Sequence, residues 1–285
     1  MKKIISAILT LLIVGGAAVS CGANNAPQGS LGKIYTVSRE EGSGTRGAFV
    51  ELFGIVDDQK NDRITDSAEI TSSTSVMLAT ISGNKSAIGY VSLGSLTSDV
   101  KTVDIDGVAA TAENIKNGTY KIARPFLLIY KEGTPTELAK DFMSYILSSD
   151  GQKIVSDHGY ISVSDSGAYK ASGLTGTVKL AGSTSVSPVI EKLADAYKAI
   201  NSGVAIEVQQ TGSSAGITSA IEGVCDFGMS SRELKESEAS KLTAAKIAVD
   251  GIAVIANKSN SIGGLTSGQV KDIFKGDVTE WSAVQ

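Results

Sequence analysis

The chain is poor in the residues on which most catalytic and metal chemistry rests, with one histidine, two cysteines and one tryptophan. A lone His158 and so few thiols cannot assemble a zinc or iron centre, which needs three or four such ligands. Aromatic residues make up only 5% of the chain, which disfavours stacking of nucleobases or sugars. A basic surplus is missing as well. Lys2 and Lys3 aside, 24 basic residues face 30 acidic ones, so the composition invites neither nucleic acid nor an anionic membrane. With Cys21 set apart, Cys225 has no thiol to pair with, and stability must come from a hydrophobic core rather than a disulfide.

What is present begins with an export signal: Met1-Lys2-Lys3, an apolar stretch from Ile4 to Val14 too short to span a bilayer comfortably, and small residues before Cys21. Small residues ending at Ser20 point to a lipobox with Cys21 as the lipidated first residue of the mature chain; the alternative is an ordinary cleaved signal with a free cysteine. Residues 21–31 then form a tether. The remaining length, about 255 residues, can bury one large core or two smaller ones.

The organising stretch is Ser38 to Gly47, SREEGSGTRG, placed between an apolar run, Ile34 to Val37, and a helical pattern from Ala48 to Phe53. A loop that opens a helix presents free backbone N–H groups and the positive end of the helix dipole, so an anion is its natural guest. Arg39 adds a planar, bidentate donor suited to an oxyanion. A cognate loop, Lys179 to Ser185, precedes a helix carrying Pro188, Val189, Ile190, Leu193, Ala194 and Tyr197. A second pair of hydroxyl-rich loops, Thr71 to Ser75 and Thr211 to Gly216, also precedes helical patterns. Gly42 and Gly182, Ser43 and Ser183, Thr71 and Thr211, Ser73 and Ser213, and Gly83 and Gly223 are each 140 residues apart, which predicts an internal duplication and two lobes.

Elsewhere the pattern predicts a buried strand over Arg124 to Tyr130, a helix after Pro135 with Leu138, Phe142, Met143 and Ile146 on one face, and a short helix from Asp150 to His158. Val163 to Gly176 reads as a linker, Ile247 to Ala256 as a strand, and Ser267 to Phe274 as a helix. Alternation of strands and helices predicts an α/β fold.

Two enzyme-like motifs fail on context. Gly42-Ser43-Gly44-Thr45-Arg46-Gly47 fits a dinucleotide fingerprint, but Asp57 to Asp66, where the partner strand and its acid should lie, reads as a polar loop. Gly212-Ser213-Ser214-Ala215-Gly216 fits a nucleophile elbow, but His158 precedes Ser214, whereas that fold requires its histidine last. Any single hydroxyl in these loops could simply cap a helix. Four such loops together with Arg39 fit a small tetrahedral anion held by N–H and O–H donors.

At these residues the chain resembles the phosphate-binding lipoproteins of bacterial phosphate ABC importers, of the kind common in Gram-positive bacteria. Val178 to Gln285, with AGSTS at Ala181 to Ser185, Gly212-Ser213-Ser214, and DFGMSSR at Asp226 to Arg232, is similar to that family's first half; Gly32 to Val163 is similar to its second. The resemblance implies a two-lobed periplasmic-binding-protein-like fold of type II, with the ligand cleft between lobes and no cofactor. It implies phosphate contacts from Arg39, Ser43, Gly44, Thr45, Thr184, Ser185 and Ser213, and places Glu41 as the acid that holds the guanidinium. Ser231 stands where some members carry an aspartate that accepts the ligand's proton, and a hydroxyl can donate or accept. Phosphate is therefore the expected ligand, with sulfate, arsenate or another tetrahedral oxyanion as alternatives.

The mechanism implied is binding without chemistry: the lobes close on the anion and the closed form is offered to a permease and its ATPase. A monomer, lipid-anchored on the extracytoplasmic face, is expected; a non-transport sensor or adhesin on the same scaffold is the alternative. Because the halves stand in reversed order, the resemblance also implies a circular permutation. One lobe becomes continuous over 121–260, the other is assembled from 32–120 and 261–285, the old termini are joined through Val163 to Gly176, and Gln285 ends near Lys33. The competing account is a splice of two half-proteins that pair between molecules.

Overall fold

The computed structural model describes residues 31–284. The signal, the tether up to Ser30, Cys21 and Gln285 lie outside the described residues. The strands are β1 (Tyr35–Arg39), β2 (Glu69–Thr71), β3 (Ala87–Ser92), β4 (Val100–Thr102), β5 (Asp104–Ile105), β6 (Ala123–Tyr130), β7 (Gly176–Gly182), β8 (Val204–Gln210), β9 (Phe227–Ser230), β10 (Thr243–Asn257) and β11 (Gly264–Leu265). The helices are α1 (Gly44–Phe53), α2 (Thr74–Gly83), α3 (Ala112–Lys116), α4 (Glu137–Leu147), α5 (Ser149–Asp157), α6 (Ser187–Ile200), α7 (Ser213–Glu222), α8 (Glu236–Ala239) and α9 (Ser267–Lys275).

The duplication is written in the topology. In β1–α1–β2–α2–β3 the first strand pairs in parallel with both others, and β7–α6–β8–α7–β9 repeats that arrangement. Each unit then meets one long antiparallel strand: β3 lies against β10, and β9 against β6. Since β10 also pairs with β6, a single path runs β2-β1-β3-β10-β6-β9-β7-β8.

Two main cores divide the molecule. One gathers Val37, Phe49, Tyr90, Ile122, Ile252 to Ala256, Phe274 and Trp281; the other gathers Phe126, Leu128, Phe142, Tyr197, Met229, Ile247 and Ala248. A smaller cluster, with Ile129, Ile217 and Cys225, fills the opposite face of the second lobe's sheet under α7. The cores therefore divide between Ile122 and Phe126 and between Ala248 and Ile252 rather than after Asn260. The reason is β10, whose fifteen residues exceed what one lobe needs and cross from one core to the other.

The chain's two described ends meet in the discontinuous lobe. Lys33 bridges to Glu280, the Ile34 N–H donates to the Thr279 carbonyl (2.8 Å), and the Trp281 N–H to the Gly32 carbonyl (3.0 Å). Trp281 is fully buried, with its indole N–H on the Ser86 carbonyl. The linker from Val163 is laid across the other lobe: the Ser149 N–H donates to the Gly167 carbonyl, and the Tyr169 hydroxyl to Asp141 on α4 (2.6 Å). His158 ends α5 with Nδ1 at 2.9 Å from the Ile154 carbonyl, a helix-end contact.

Candidate functional site

The glycine stretch is less of a loop than its composition predicts, because α1 begins at Gly44 rather than Ala48. Ser43 is its N-cap, accepting from the Arg46 N–H (3.3 Å), and Gly42 makes the preceding turn at φ 86°, a conformation that favours glycine. Gly44 and Thr45 thus occupy the first helical turn, where N–H groups have no intrahelical partner. In the other lobe α7 opens at Ser213, behind Gly212 at φ 87° and without a side-chain cap.

Arg39 ends β1 with 2% exposure, and its backbone N–H lies on the buried Tyr90 hydroxyl (3.2 Å). Its guanidinium makes a fork to Glu40, Nε to Oε2 at 2.8 Å and Nη2 to Oε1 at 2.9 Å. The acid that holds the arginine is therefore Glu40, not Glu41. Glu41 enters the turn that leads to α1 and is exposed, while Glu40 still follows the strand and lies beside the guanidinium.

With Nε and one edge on Glu40, the guanidinium's remaining N–H groups face hydroxyls. Nη2 donates to Thr184 Oγ1 of the other lobe (3.0 Å), and Nη1 lies 3.4 Å from Thr74 Oγ1. Thr45 Oγ1 and Ser185 Oγ are 2.8 Å apart, and Thr74 Oγ1 lies 3.3 Å from both Thr184 and Ser185. Thr45 and Ser185 are 140 residues apart, so this contact joins equivalent positions of the two repeats.

A second hydroxyl group adjoins the first. Ser183 donates to Ser231 Oγ (2.9 Å), the Ser231 N–H donates to Ser213 Oγ (3.2 Å), and Ser213 and Ser231 Oγ stand 3.4 Å apart. All three serines are buried. Gly44 of the discontinuous lobe lies directly on them: a Cβ there would overlap Ser213 Oγ and come within 2.6 Å of Ser231 Oγ. The Ser214 N–H donates across to the Gly42 carbonyl (3.0 Å).

The structure thus brings Arg39, Gly44, Thr45, Thr184, Ser185, Ser213 and Ser231 into one buried region between the lobes, with Ser43 capping the helix that carries two of them. Sequence reasoning missed Thr74 and Ser183. The repeat offset pairs Ser73 with Ser213, yet Ser73 caps α2 through the Val76 N–H while the next residue, Thr74, turns inward. Which hydroxyls in a run of five are buried, here Thr71 and Thr74, is not marked in sequence. For Ser183 the offset itself was the available signal, through its match to Ser43.

What this arrangement offers is a set of hydroxyl and N–H donors around one guanidinium. Ser214, the elbow candidate, has its Oγ 3.4 Å from Arg232 Nη2, a cation that cannot serve as its base.

Comparison with known proteins shows the family. A PBP superfamily domain matches residues 23–150 and 167–285. Phosphate-binding protein PstS 2 of Streptococcus agalactiae serotype V is 52% identical over 292 aligned residues, covering 99% of each chain. Phosphate-binding protein PstS of Bacillus subtilis is 38% identical over 135 residues, 47% of this chain and 43% of its own. The crystal structure of a phosphate-binding protein of a phosphate ABC transporter from Streptococcus pneumoniae is 43% identical, with a TM-score of 0.71, covering 89% of this chain and all of that one. The chain belongs to the phosphate-binding protein (PstS) family of the PBP superfamily.

Proposed function

We propose that the chain binds inorganic phosphate between its lobes and delivers it to the permease and ATPase of an ABC importer, without performing chemistry on it. The observation that carries this reading is the meeting of Arg39 with Thr184 across the lobes, amid hydroxyls from both repeats. An anion entering here takes over protons that Thr45, Thr74, Thr184 and Ser185 now share with one another. Phosphate ligands would be Arg39, Ser43, Gly44, Thr45, Thr184, Ser185, Ser213 and Ser231, joined by Thr74. Glu40 holds the guanidinium in register, and the fixed fork suits a tetrahedral oxyanion better than a point charge would.

The family places the protein outside the cytoplasm and at the membrane, and lipid on Cys21 is the proposed means of attachment. The circular permutation is supported by the meeting of Gly32–Ile34 with Thr279–Trp281 and by the linker tied down through Tyr169. The streptococcal relative matches over 99% of both chains and so shares the segment order, which favours an inherited arrangement over a recent splice. Sulfate is the second reading, favoured by the Ser231 hydroxyl at the site, because a donor there does not demand a protonated ligand.

Isothermal titration of the purified monomer with phosphate and with sulfate tests the proposal. One phosphate per chain, with no hydrolysis of phosphoesters, is the expected result. A folded protein that takes up neither anion would overturn it.

A further inference from the structure

Arg124 and Asp250 face each other across β6 and β10, where those strands pass between the two cores. Their neighbours Ala123 and Gly251 form the next pair, followed by Ile122 and Ile252 in one core; Phe126 and Ala248 belong to the other. The pair is almost fully buried, at 3% and 0% exposure. Arg124 Nη2 and Nε donate to Asp250 Oδ2 at 3.1 and 3.3 Å, and Ser92 donates to Oδ1 at 2.8 Å. The guanidinium rests 5.4 Å from the centre of the Phe126 ring.

A buried ion pair is weak evidence for stability, since apolar residues of similar volume often serve as well. This one does something an apolar pair could not. The third arm of the guanidinium, Nη1, donates to the backbone carbonyl of Ser231 (3.1 Å). With its N–H on Ser213 and its hydroxyl taking the Ser183 proton, every polar group of Ser231 is committed, and Arg124 supplies the charged contact among them. Ser183 and Ser231 Oγ lie in one cluster with Ser213, which Gly44 of the opposite lobe touches.

We propose, resting on the phosphate reading above, that Arg124 is a positioning residue for the anion site: anchored by Asp250 at the crossing of the lobes, it fixes Ser231 and through it aims the Ser183–Ser213–Ser231 hydroxyls. Ser92 ties the same carboxylate to β3 of the discontinuous lobe, so the pair also links the placement of these hydroxyls to the angle between lobes.

The test is the double variant Arg124→Met/Asp250→Asn, which removes both charges together, compared with the unaltered protein in phosphate titration and thermal unfolding. Phosphate affinity about tenfold weaker or more in a folded protein is expected, as for loss of a contact with a charged donor. Ser231→Ala should weaken binding in the unaltered protein but add little in the double variant, because the two act through one group. Full affinity in the folded double variant, or fully additive losses, overturns the proposal. If the double variant does not fold, Arg124→Lys decides, since an ammonium cannot span Asp250 and the Ser231 carbonyl together; wild-type affinity there is equally fatal. A readout without ligand separates this proposal from the phosphate reading. The Ser231 amide should exchange hydrogen faster in the variants, and unchanged exchange refutes positioning even if the unaltered protein binds no phosphate.

Discussion

Replacing Arg39 by alanine removes a guanidinium that meets hydroxyls from both lobes. One N–H each of Nε and Nη2 is committed to Glu40, which leaves the second Nη2 N–H, aimed at Thr184, and Nη1, aimed at Thr74, as the donors an anion can use. A hydrogen bond to a charged group contributes about 1.5–3 kcal/mol, so losing two costs about 3–6 kcal/mol, or about 140- to 20,000-fold in affinity. Ser213→Ala removes one neutral hydroxyl, worth about 0.5–1.5 kcal/mol, and should weaken binding only about two- to thirteenfold. Arg39→Lys should fall between them, because a point charge cannot fill the fork to Glu40 and reach Thr184 together. The alanine variant also leaves Glu40, only 28% exposed, without its partner and beside the incoming anion. Arg39→Ala/Glu40→Gln should therefore bind phosphate more tightly than Arg39→Ala alone. Titration calorimetry on the four variants reads all of this. Equal losses for Arg39→Ala and Ser213→Ala, or no recovery on neutralising Glu40, would refute the placement of the guanidinium in the site.

Gly44→Ala should remove most of the phosphate affinity, because the added Cβ overlaps Ser213 Oγ where the lobes meet; a folded variant that binds normally would show that the bound state does not bring these residues together. Ser231→Asp should weaken sulfate far more than phosphate, since a carboxylate repels a fully ionised anion but can accept the proton of hydrogen phosphate; parallel titrations with both anions check this. Burial pushes the Asp250 carboxyl up to about 6 from 3.8, against the pull of Arg124 and Ser92. The folded chain then holds that proton more tightly than the unfolded one, so the group's stabilising contribution is full below about pH 4 and lost as pH rises through about 6. The melting temperature of the unaltered protein minus that of Asp250→Asn should accordingly fall over that window and level off above it; a difference that grows with pH would contradict the sign.

Much of this was legible in the sequence because it rests on local patterns. The 140-residue offset predicted the duplication, and the repeated β–α–β–α–β units with the Thr45–Ser185 contact realise it. Gly212 and Gly182, helix-opening hydroxyls and the apolar strand at Phe126 were all visible as composition and period. What was not legible depended on three-dimensional crossing. Glu40 and Glu41 are adjacent and chemically alike, and only the turn after β1 decides which one meets the guanidinium. The lobe boundary shifted because an apolar run from Ile252 to Ala256 looks the same whichever core receives it. Arg124 and Asp250 are 126 residues apart, and nothing local marks them as partners.

The central claim is that a tetrahedral anion sits where the two repeats meet, and a crystal structure of the purified protein with phosphate tests it most directly. The account predicts one phosphate between the lobes, its oxygens within hydrogen-bonding distance of the Arg39 guanidinium, the Thr45 and Ser185 hydroxyls and the Gly44 N–H, with Glu40 still on Arg39. Phosphate bound elsewhere, or bound with Arg39 turned away from it, would contradict the account.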